Sequence, residues 1–277
     1  MTDTPFSLQQ DGPIARLTLC RPQKRNAMNG RFWRDLPPLV QGLSDAGKTR
    51  VLVIDAQGPH FTAGLDLALF ASMQGGTDTA QAREAFAHRL AQMQSGFDAL
   101  EAARFPVIAA IQGGCIGGGV DMVCACDIRL STRDAFFRIE EINVGMMADL
   151  GTLQRLPKAL PAGVVRKMAY AGSTLDAVRA HGLGFVNALY DTSESLCEGA
   201  MALAQTIAQK PPLAIAASKD CLNHARDHGV AQSLRYMRAV QAGVFSPGDI
   251  LHSLEARAKG EAAQYADLAP LSPKTDS

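Results

Sequence analysis

The chain has 277 residues, of which 47% are hydrophobic, so it can bury a sizeable core in one large domain or two small ones. Its 27 lysine and arginine residues balance 27 aspartate and glutamate residues. This neutral balance gives no support to binding of nucleic acid or of an anionic membrane surface, although a local basic patch is compatible with it.

The first part of the chain shows strand and helix patterns in alternation. Residues 14–19 alternate apolar and polar side chains, as a half-buried strand does. Residues 51–54 and 107–111 are continuous apolar runs, which are typical of strands covered on both faces. Residues 79–103, between those two runs, carry large apolar side chains at helical spacing. The succession predicts an α/β fold with βαβ units and right-handed crossovers.

From residue 191 onward the pattern is helical. Helices are predicted over residues 201–209, 213–226 and 230–244, where prolines and a glycine separate the apolar runs. Residues 267–277 contain prolines and charged residues and are predicted to form a frayed tail.

Residues 112–157 contain three carboxylates, Asp121, Glu141 and Asp149, among glycines and apolar residues. Carboxylates are seldom fully buried unless they are paired, because burying an unpaired charge is costly. Several acids in such a setting indicate proton transfer, since burial and mutual repulsion raise and separate their pKa values. Alternatively, each acid is exposed at the end of a helix or strand, and Asp121 simply begins a helix.

Three motifs, in matching order and spacing, are similar to the crotonase (enoyl-CoA hydratase/isomerase) superfamily. They read R-P-Q-K-R-N-A-M-N from residue 21, H-F-T-A-G-L-D-L from residue 60, and G-G-C-I-G-G-G-V-D-M-V-C-A-C-D-I-R from residue 113, followed by D-A-F-F, N-V-G and G-T-L-Q-R-L-P. The similarity extends from about residue 14 to about residue 190. Within the superfamily, the three acids most resemble those of the 3,5-2,4-dienoyl-CoA isomerases.

This resemblance implies a fold and an assembly. The fold is an α/β crotonase (ClpP/crotonase-like) spiral of ββα units over residues 1–190, followed by a C-terminal helical trimerisation region over residues 191–277. The family forms trimers that commonly pair, so we expect a homotrimer or a homohexamer. The expected partner is an acyl-CoA thioester. No cofactor is expected, because CoA is part of the substrate.

The resemblance also implies an acyl-CoA site. Its oxyanion hole consists of the N–H groups of Leu65 and Gly118, which stabilise the enolate oxygen of the thioester. The residues expected to bind acyl-CoA are Lys24, Arg25, Ala63, Gly64, Leu65, Asp66, Leu67 and Gly118. Taken without the motif, Lys24 and Arg25 also fit an ordinary solvated turn.

The reaction implied is the shift of the double bonds of a 3,5-dienoyl-CoA to the 2,4 positions. The substrate loses a proton at carbon 2 and gains one at carbon 6, so one acid at each end fits the task. We assign Asp149 as the base at carbon 2 and Glu141 as the acid at carbon 6, with the reverse assignment left open. Asp121 would orient or tune one of them.

Two alternatives remain. In a hydratase or another crotonase-type enzyme, Asp121 and Glu141 would activate a water molecule and Asp149 would be a bystander, since hydratases usually have glycine there. A non-catalytic member of the superfamily would bind RNA or acyl-CoA or serve as a scaffold. Retention of all three acids and of the glycines in the loops argues against the second alternative.

Cysteine usage and targeting signals predict the compartment. The six cysteines and the polar segment of residues 1–12 fit reduced, buried thiols in a chain without an export signal. The last residues do not form a peroxisomal tripeptide, and no cysteine or histidine spacing predicts a metal site. We therefore predict a cytoplasmic protein without a metal ion.

Overall fold

A six-stranded sheet forms the centre of the computed structural model, which describes residues 3–69 and 79–271. In spatial order its strands are β1 (Phe6–Asp11), β2 (Ile14–Leu19), β3 (Val51–Ala56), β4 (Val107–Ile111), β6 (Ile128–Thr132) and β9 (Ala188–Tyr190). β1 and β2 pair antiparallel and the other neighbours pair parallel. A second sheet has the order β5 (Gly114–Ile116), β7 (Phe136–Arg138) and β8 (Leu175–Asp176).

Helices surround both sheets. The described residues form α1 (Gly30–Ala46), α2 (Ala80–Ala102), α3 (Gly118–Cys124), α4 (Thr152–Ala159), α5 (Ala162–Ala171), α6 (Ala177–Gly182), α7 (Ser193–Ala208), α8 (Pro212–Asp227), α9 (Val230–Val244) and α10 (Pro247–Lys259). Two short 3-10 turns occupy Pro22–Lys24 and Glu141–Val144. No helix of residues 3–69 or 79–271 is long and apolar enough to span a membrane.

The continuous apolar runs of β3 and β4 are covered on both faces, as predicted. Alternate side chains of these strands belong to two separate apolar clusters. On one face α1 and α2 contribute Phe32, Trp33 and Phe97, whose rings pack edge to face. On the other face α7 contributes Leu196 and a row of alanines at four-residue spacing, and these small side chains let the helix pack closely on the sheet.

Helix α7 belongs to the region predicted as C-terminal, yet its buried face completes the core of the main sheet. The domain boundary at residue 191 stays a prediction. Helix α8 is tied to the core by Lys219, which is 6% exposed. Its Nζ donates hydrogen bonds to the carbonyl oxygens of Leu100 at 2.8 Å and Phe105 at 3.0 Å, and to Asp127 Oδ2 at 2.8 Å.

The segment after α10 packs against the core. Arg50 forms a 2.9 Å ion pair with Asp267, and the Leu268 N–H donates to the Gly47 carbonyl at 3.1 Å. The Leu271 N–H donates to the Asp45 carbonyl at 2.8 Å. The prediction of a frayed tail is therefore wrong for residues 267–271, because side chains and carbonyls of distant segments satisfy their backbone; residues 272–277 lie outside the described residues.

Candidate active site

Two loops that follow β2 and β3 lie side by side. The Met28 N–H donates to the Gly64 carbonyl at 2.8 Å, and the Asp66 N–H donates to the Met28 carbonyl at 3.0 Å. The Ala63 N–H donates to the Arg25 carbonyl at 2.8 Å. These bonds bring the loop with Lys24 and Arg25 next to the loop of residues 63–67, two segments that the sequence predicts to share an acyl-CoA site.

A buried arginine holds these loops together. Arg21 is 4% exposed and pairs with Asp3 and Asp66, the latter at 2.9 Å. The other oxygen of Asp66 accepts a 3.1 Å hydrogen bond from the Ala68 N–H. The side chain of Asp66, predicted to bind substrate, is thus engaged in shaping its own loop.

The other residues predicted to bind CoA differ in exposure, and Gly64 and Gly118 are buried. The side chains of Lys24 and Arg25 are exposed and have no ion-pair or hydrogen-bond partner among the described residues. Leu67 is 70% exposed, whereas Ala63 and Leu65 are partly buried in the wall of a cleft. Two free cations at this edge provide charge complementary to phosphate groups.

The N–H groups of Leu65 and Gly118 lie close together where the second loop meets α3. A Cβ added to Gly64 would lie 2.7 Å from the Ile116 carbonyl oxygen and 3.0 Å from the Gly118 nitrogen, and a Cβ added to Gly118 would lie 3.8 Å from the Leu65 nitrogen. Gly64 also has a φ of +82°, which L side chains rarely adopt. Within the described part of the chain neither N–H donates a hydrogen bond, so both are available to an oxyanion.

The apolar cleft contains two of the three predicted acids. Glu141 begins the 3-10 turn before α4, and Asp149 follows eight residues later; both line the cleft. Its apolar wall includes Leu65, Leu90, Met93, Val144, Met146 and Leu150. Helix α2 also reaches Asp149 directly, because Gln94 Nε2 donates to the Asp149 carbonyl at 2.7 Å.

Asp121 lies deeper than the other acids, in the first turn of α3 and fully buried. Its Oδ1 accepts a 2.6 Å hydrogen bond from the N–H of Thr152, the first residue of α4. Its Oδ2 and the Oε2 of Glu141 are buried and have no hydrogen-bond partner among the described residues. Asp121 therefore lies in the first turn of a helix, as one reading of the sequence predicts. Its carboxylate, however, contacts the start of another helix, α4.

Burial sets the proton affinity of the three acids. It raises the pKa of Asp121 to about 6, against the opposing effect of the hydrogen bonds from Thr152. Burial, and secondarily the charge of Asp121, raises the pKa of Glu141 to about 7. The pKa of Asp149 is also raised by burial. Because these acids repel one another, they titrate as a coupled group, and the site can hold and transfer protons near neutral pH.

No sequence pattern indicates the roles of three residues that contact the site or hold its helices in place: Thr152, Gln94 and Arg155. Thr152 lies inside the motif G-T-L-Q-R-L-P, but only the fold brings it to Asp121. Arg155, one turn later in α4, pairs with Asp98 at 2.6 Å and Glu101 at 2.8 Å, and so fixes α4 against α2. No group of three or more potential metal ligands occurs in residues 3–69 or 79–271.

The chain that carries these free N–H groups and buried acids matches a known protein family over most of its length. Residues 9–265 match the enoyl-CoA hydratase/isomerase family. The chain belongs to this family. The α/β crotonase spiral predicted from the sequence is confirmed by a solved family structure, enoyl-CoA hydratase from Mycobacterium tuberculosis, which has a TM-score of 0.81 and 26% identity and covers 95% of this chain and 98% of its own.

Two relatives of this crotonase family member carry more specific names. The mitochondrial Delta(3,5)-Delta(2,4)-dienoyl-CoA isomerase of Mus musculus is 40% identical over 247 residues, which are 88% of this chain and 76% of the relative. The peroxisomal enzyme of the same name from Arabidopsis thaliana is 32% identical over 262 residues, 93% of this chain and 94% of the relative.

These names also correct the predicted compartment. The prediction of a cytoplasmic protein is wrong, because the relatives are named as mitochondrial and peroxisomal proteins. The prediction rested in part on the expectation of reduced, buried thiols. All six cysteines are free, but only Cys115 and Cys126 are buried and the other four are partly buried. Burial raises the pKa of both Cys124 and Cys126 to about 12, and such inert thiols do not distinguish one reducing compartment from another.

Proposed function

We propose that this chain is a dienoyl-CoA isomerase, which converts 3,5-dienoyl-CoA to 2,4-dienoyl-CoA in fatty-acid β-oxidation. The observation that carries the proposal is the position of Asp149 in the same apolar cleft as Glu141. Glu140 also lines this cleft, but its carboxylate is paired with Arg138. A shift of two double bonds removes a proton at one end of an extended acyl segment and adds one at the other end. Two separated acids in one cleft suit that task. The names of the two relatives support it.

The first step forms a dienolate. The thioester oxygen accepts hydrogen bonds from the N–H groups of Leu65 and Gly118, and Asp149 removes a proton from carbon 2. The electron pair of that C–H bond delocalises over the diene and the thioester oxygen. The two N–H groups stabilise the developing negative charge, and each donor of this kind typically contributes ~3 kcal/mol to lowering the barrier.

The second step places a proton on carbon 6. Glu141 supplies it, the 2,4-diene forms, and Glu141 is left ionised while Asp149 is protonated. Proton exchange with solvent restores both groups, so atoms and charge balance over one turnover. Burial raises the pKa of Glu141 to about 7, so a large fraction of Glu141 carries a proton at neutral pH and can act as the acid.

The remaining parts of the site bind the thioester. Lys24 and Arg25 lie at the accessible edge and contact the phosphates of CoA, while the loop of residues 63–67 contacts its pantetheine arm. The acyl chain occupies the apolar cleft. Because the reaction moves protons and involves no net oxidation, it needs no cofactor and no metal ion.

Enoyl-CoA hydration is the second candidate, and one observation favours it. Asp121 Oδ2 and Glu141 Oε2 are both buried without a partner among the described residues, and two such oxygens could hold a nucleophilic water. In that case Asp149 has no role in the chemistry.

One assay separates the two candidates. Purified protein is given a 3,5-dienoyl-CoA and, separately, a 2-enoyl-CoA, with no added cofactor or metal. Isomerisation produces the ultraviolet absorbance of a conjugated dienoyl thioester, whereas hydration removes the absorbance of the enoyl thioester. We expect isomerisation by the wild type and by Asp134→Asn, a control on an exposed turn, and loss of it in Asp149→Asn. Rapid hydration without isomerisation would favour the hydratase.

The protein is further proposed to assemble as a homotrimer or a pair of trimers through its C-terminal helices. Large apolar side chains on this region are exposed in the single chain, among them Leu222 (71%), Val230 (78%) and Phe245 (58%). An apolar face of this kind is typical of a subunit contact. Sedimentation at micromolar concentration should give a trimer or hexamer that Leu222→Glu weakens; a wild-type monomer would contradict the assembly and leave the chemistry untouched.

A further inference from the structure

Thr152 contacts the most deeply buried acid of the site with its backbone. Helix α4 follows Gly151 and has no side-chain cap from its own residues. Its first N–H therefore needs an acceptor, and Asp121 of α3 supplies one at 2.6 Å. A negative charge at a helix N-terminus is favoured by the helix dipole. This contact therefore stabilises the ionised form of Asp121.

The hydroxyl of Thr152 lies beside the same carboxylate. Burial raises the pKa of Asp121, and both the hydroxyl and the N–H of Thr152 oppose that shift. Yet the hydroxyl oxygen and Asp121 Oδ2 are both buried without a hydrogen-bond partner among the described residues. A threonine hydroxyl donates to a carboxylate and accepts from a protonated carboxyl group. Both unpaired atoms belong to residues already in contact, because the Thr152 N–H donates to the other oxygen of the Asp121 carboxylate at 2.6 Å.

The charges of Asp121 and Glu141 interact, and the backbone of Gly117 lies next to both residues. A Cβ added to Gly117 would lie 3.1 Å from Glu141 Oε1, and the Asp121 N–H points back to the Gly117 carbonyl at 3.4 Å, one helical turn away. Burial and the charge of Asp121 raise the pKa of Glu141. In a coupled pair, the group whose ionised form is better stabilised leaves the proton on the other.

We propose that Thr152 is a positioning residue, which keeps Asp121 ionised through its N–H and its hydroxyl and thereby leaves the shared proton on Glu141. The inference rests on the proposed function, in which Glu141 gives that proton to carbon 6. Thr152 does not have to touch the substrate. Without its hydroxyl, the proton moves toward Asp121, and a fraction of Glu141 becomes ionised and inactive as an acid.

Other charged and titratable groups also face Asp121. They are Glu141, Asp149, Arg155, Cys115 and Cys124. Asp149 disfavours ionisation of Asp121 and Arg155 favours it. Burial raises the pKa of both thiols, which therefore stay neutral at physiological pH. A substitution that removes only the Thr152 hydroxyl leaves all of these groups in place. Any change in the position of the shared proton can then be assigned to the loss of that hydroxyl.

Thr152→Val tests the proposal, because it removes the hydroxyl and keeps both the N–H and the shape of the side chain. We expect kcat for isomerisation to fall about tenfold with KM unchanged, as for the loss of a hydrogen bond to a charged group. Thr152→Ser should recover most of this loss. In an Asp121→Asn background, Thr152→Val should add little, because the two residues act through one contact.

Thr132→Val is the matched control. Thr132 is 2% exposed, its hydroxyl also has no partner among the described residues, and it lies in β6 away from the cleft. The control should cost a similar amount of stability and leave kcat unchanged. A wild-type kcat in Thr152→Val would overturn the proposal and leave Thr152 with a packing role.

A second measurement does not depend on turnover. Infrared difference spectra recorded across neutral pH detect the carbonyl stretch of protonated carboxyl groups, and Glu141→Gln and Asp121→Asn identify the band of each acid. The wild type should show mainly the Glu141 band, and Thr152→Val should gain the Asp121 band. A wild-type spectrum dominated by Asp121 would overturn the proposal even if no Thr152 variant folds. A chain that isomerises no dienoyl-CoA would refute the proposed function, while these spectra would still decide the role of Thr152.

Discussion

Gly64→Ala tests the proposed oxyanion site without removing a polar group. At a φ of +82°, any L side chain carries a backbone strain of about 1–2 kcal/mol. The added Cβ would also lie 2.7 Å from the Ile116 carbonyl oxygen and 3.0 Å from the Gly118 nitrogen, whereas ordinary contacts begin at 3.4 Å. Both neighbours are backbone atoms, so the loop must move about 0.7 Å away from Ile116, at the end of β5, and by a smaller amount from Gly118, at the start of α3.

That displacement moves one of the two proposed donors away from the thioester oxygen. Loss of one oxyanion donor typically lowers kcat by about 10²–10³-fold, which corresponds to ~3–4 kcal/mol. We therefore expect Gly64→Ala to reduce the kcat for 3,5-dienoyl-CoA by about two orders of magnitude, measured from the growth of conjugated-diene absorbance. The free energy of unfolding should fall by a few kcal/mol in urea denaturation.

Gly184→Ala is the control for strain alone. Gly184 has a φ of +83°, almost the same as Gly64, but no atom lies within 4 Å of an added Cβ. It should lose stability from strain and keep its kcat. If Gly64→Ala folds and its kcat lies within about threefold of the wild type, against the loss expected for a missing donor, the N–H groups of Leu65 and Gly118 are not the oxyanion site.

The remaining predictions concern the acids and the buried lysine. Asp149→Asn and Glu141→Gln should each lower kcat by about 10²–10⁴-fold with little change in KM. Solvent deuterium exchange at carbon 2 should vanish only in Asp149→Asn, the variant that lacks the proposed base. Normal isomerisation by Asp149→Asn would refute the assignment. The pKa of Glu141 is about 7 in the folded protein, against an ordinary 4.5. Between pH 4.5 and pH 7 the folded chain therefore still holds a proton that the unfolded chain has lost. The free energy of unfolding falls as the pH rises through this interval. Glu141→Gln removes this penalty, and urea denaturation at several pH values should show its advantage over the wild type growing across that interval; a constant difference would contradict the raised pKa. Lys219→Met should destabilise the fold by ~3 kcal/mol, because it removes the cation that pairs with Asp127 and the side-chain donor of two carbonyl oxygens, and leaves Asp127 with the Val107 N–H alone. A loss below about 1 kcal/mol would show that solvent replaces the lysine.

The sequence predicts the central sheet well, because its signal is local. The strand at residues 14–19 and the apolar run at residues 107–111 have the predicted bounds, and α2 ends within one residue of its predicted limits at each end. Parallel strands buried on both faces leave an apolar run that needs no knowledge of their neighbours.

Elements whose stability depends on distant contacts were missed or only partly predicted. Helix α1 contains Pro37 and Pro38 in its interior, which argue against a helix on local grounds, yet its buried aromatic face holds it in place. Helix α7 begins at a Thr192 capping box, eight residues before the predicted start. Its buried face consists largely of alanines, whose apolar signal is weak, so the sheet that covers them decides the bounds.

The site likewise contains residues that local motifs identify and contacts that only the folded structure shows. Motifs identify Asp121, Glu141 and Asp149, and the fold brings all three to one region. The sequence does not reveal that Asp66 pairs with Arg21, or that Thr152 contacts Asp121, because each contact joins segments at least thirty residues apart. Those contacts belong to the fold as a whole and have no local pattern.

The order of strands in the main sheet has a consequence for synthesis. From one edge of the sheet to the other, the strands follow the order in which they occur in the chain, so each strand after β1 pairs with the sheet strand synthesised just before it. As the protein emerges from the ribosome, the sheet can therefore grow outward from its N-terminal hairpin without any strand having to insert between two others. All of the acids and N–H groups of the proposed site precede α5, so their framework is synthesised before the helices that carry the exposed apolar face.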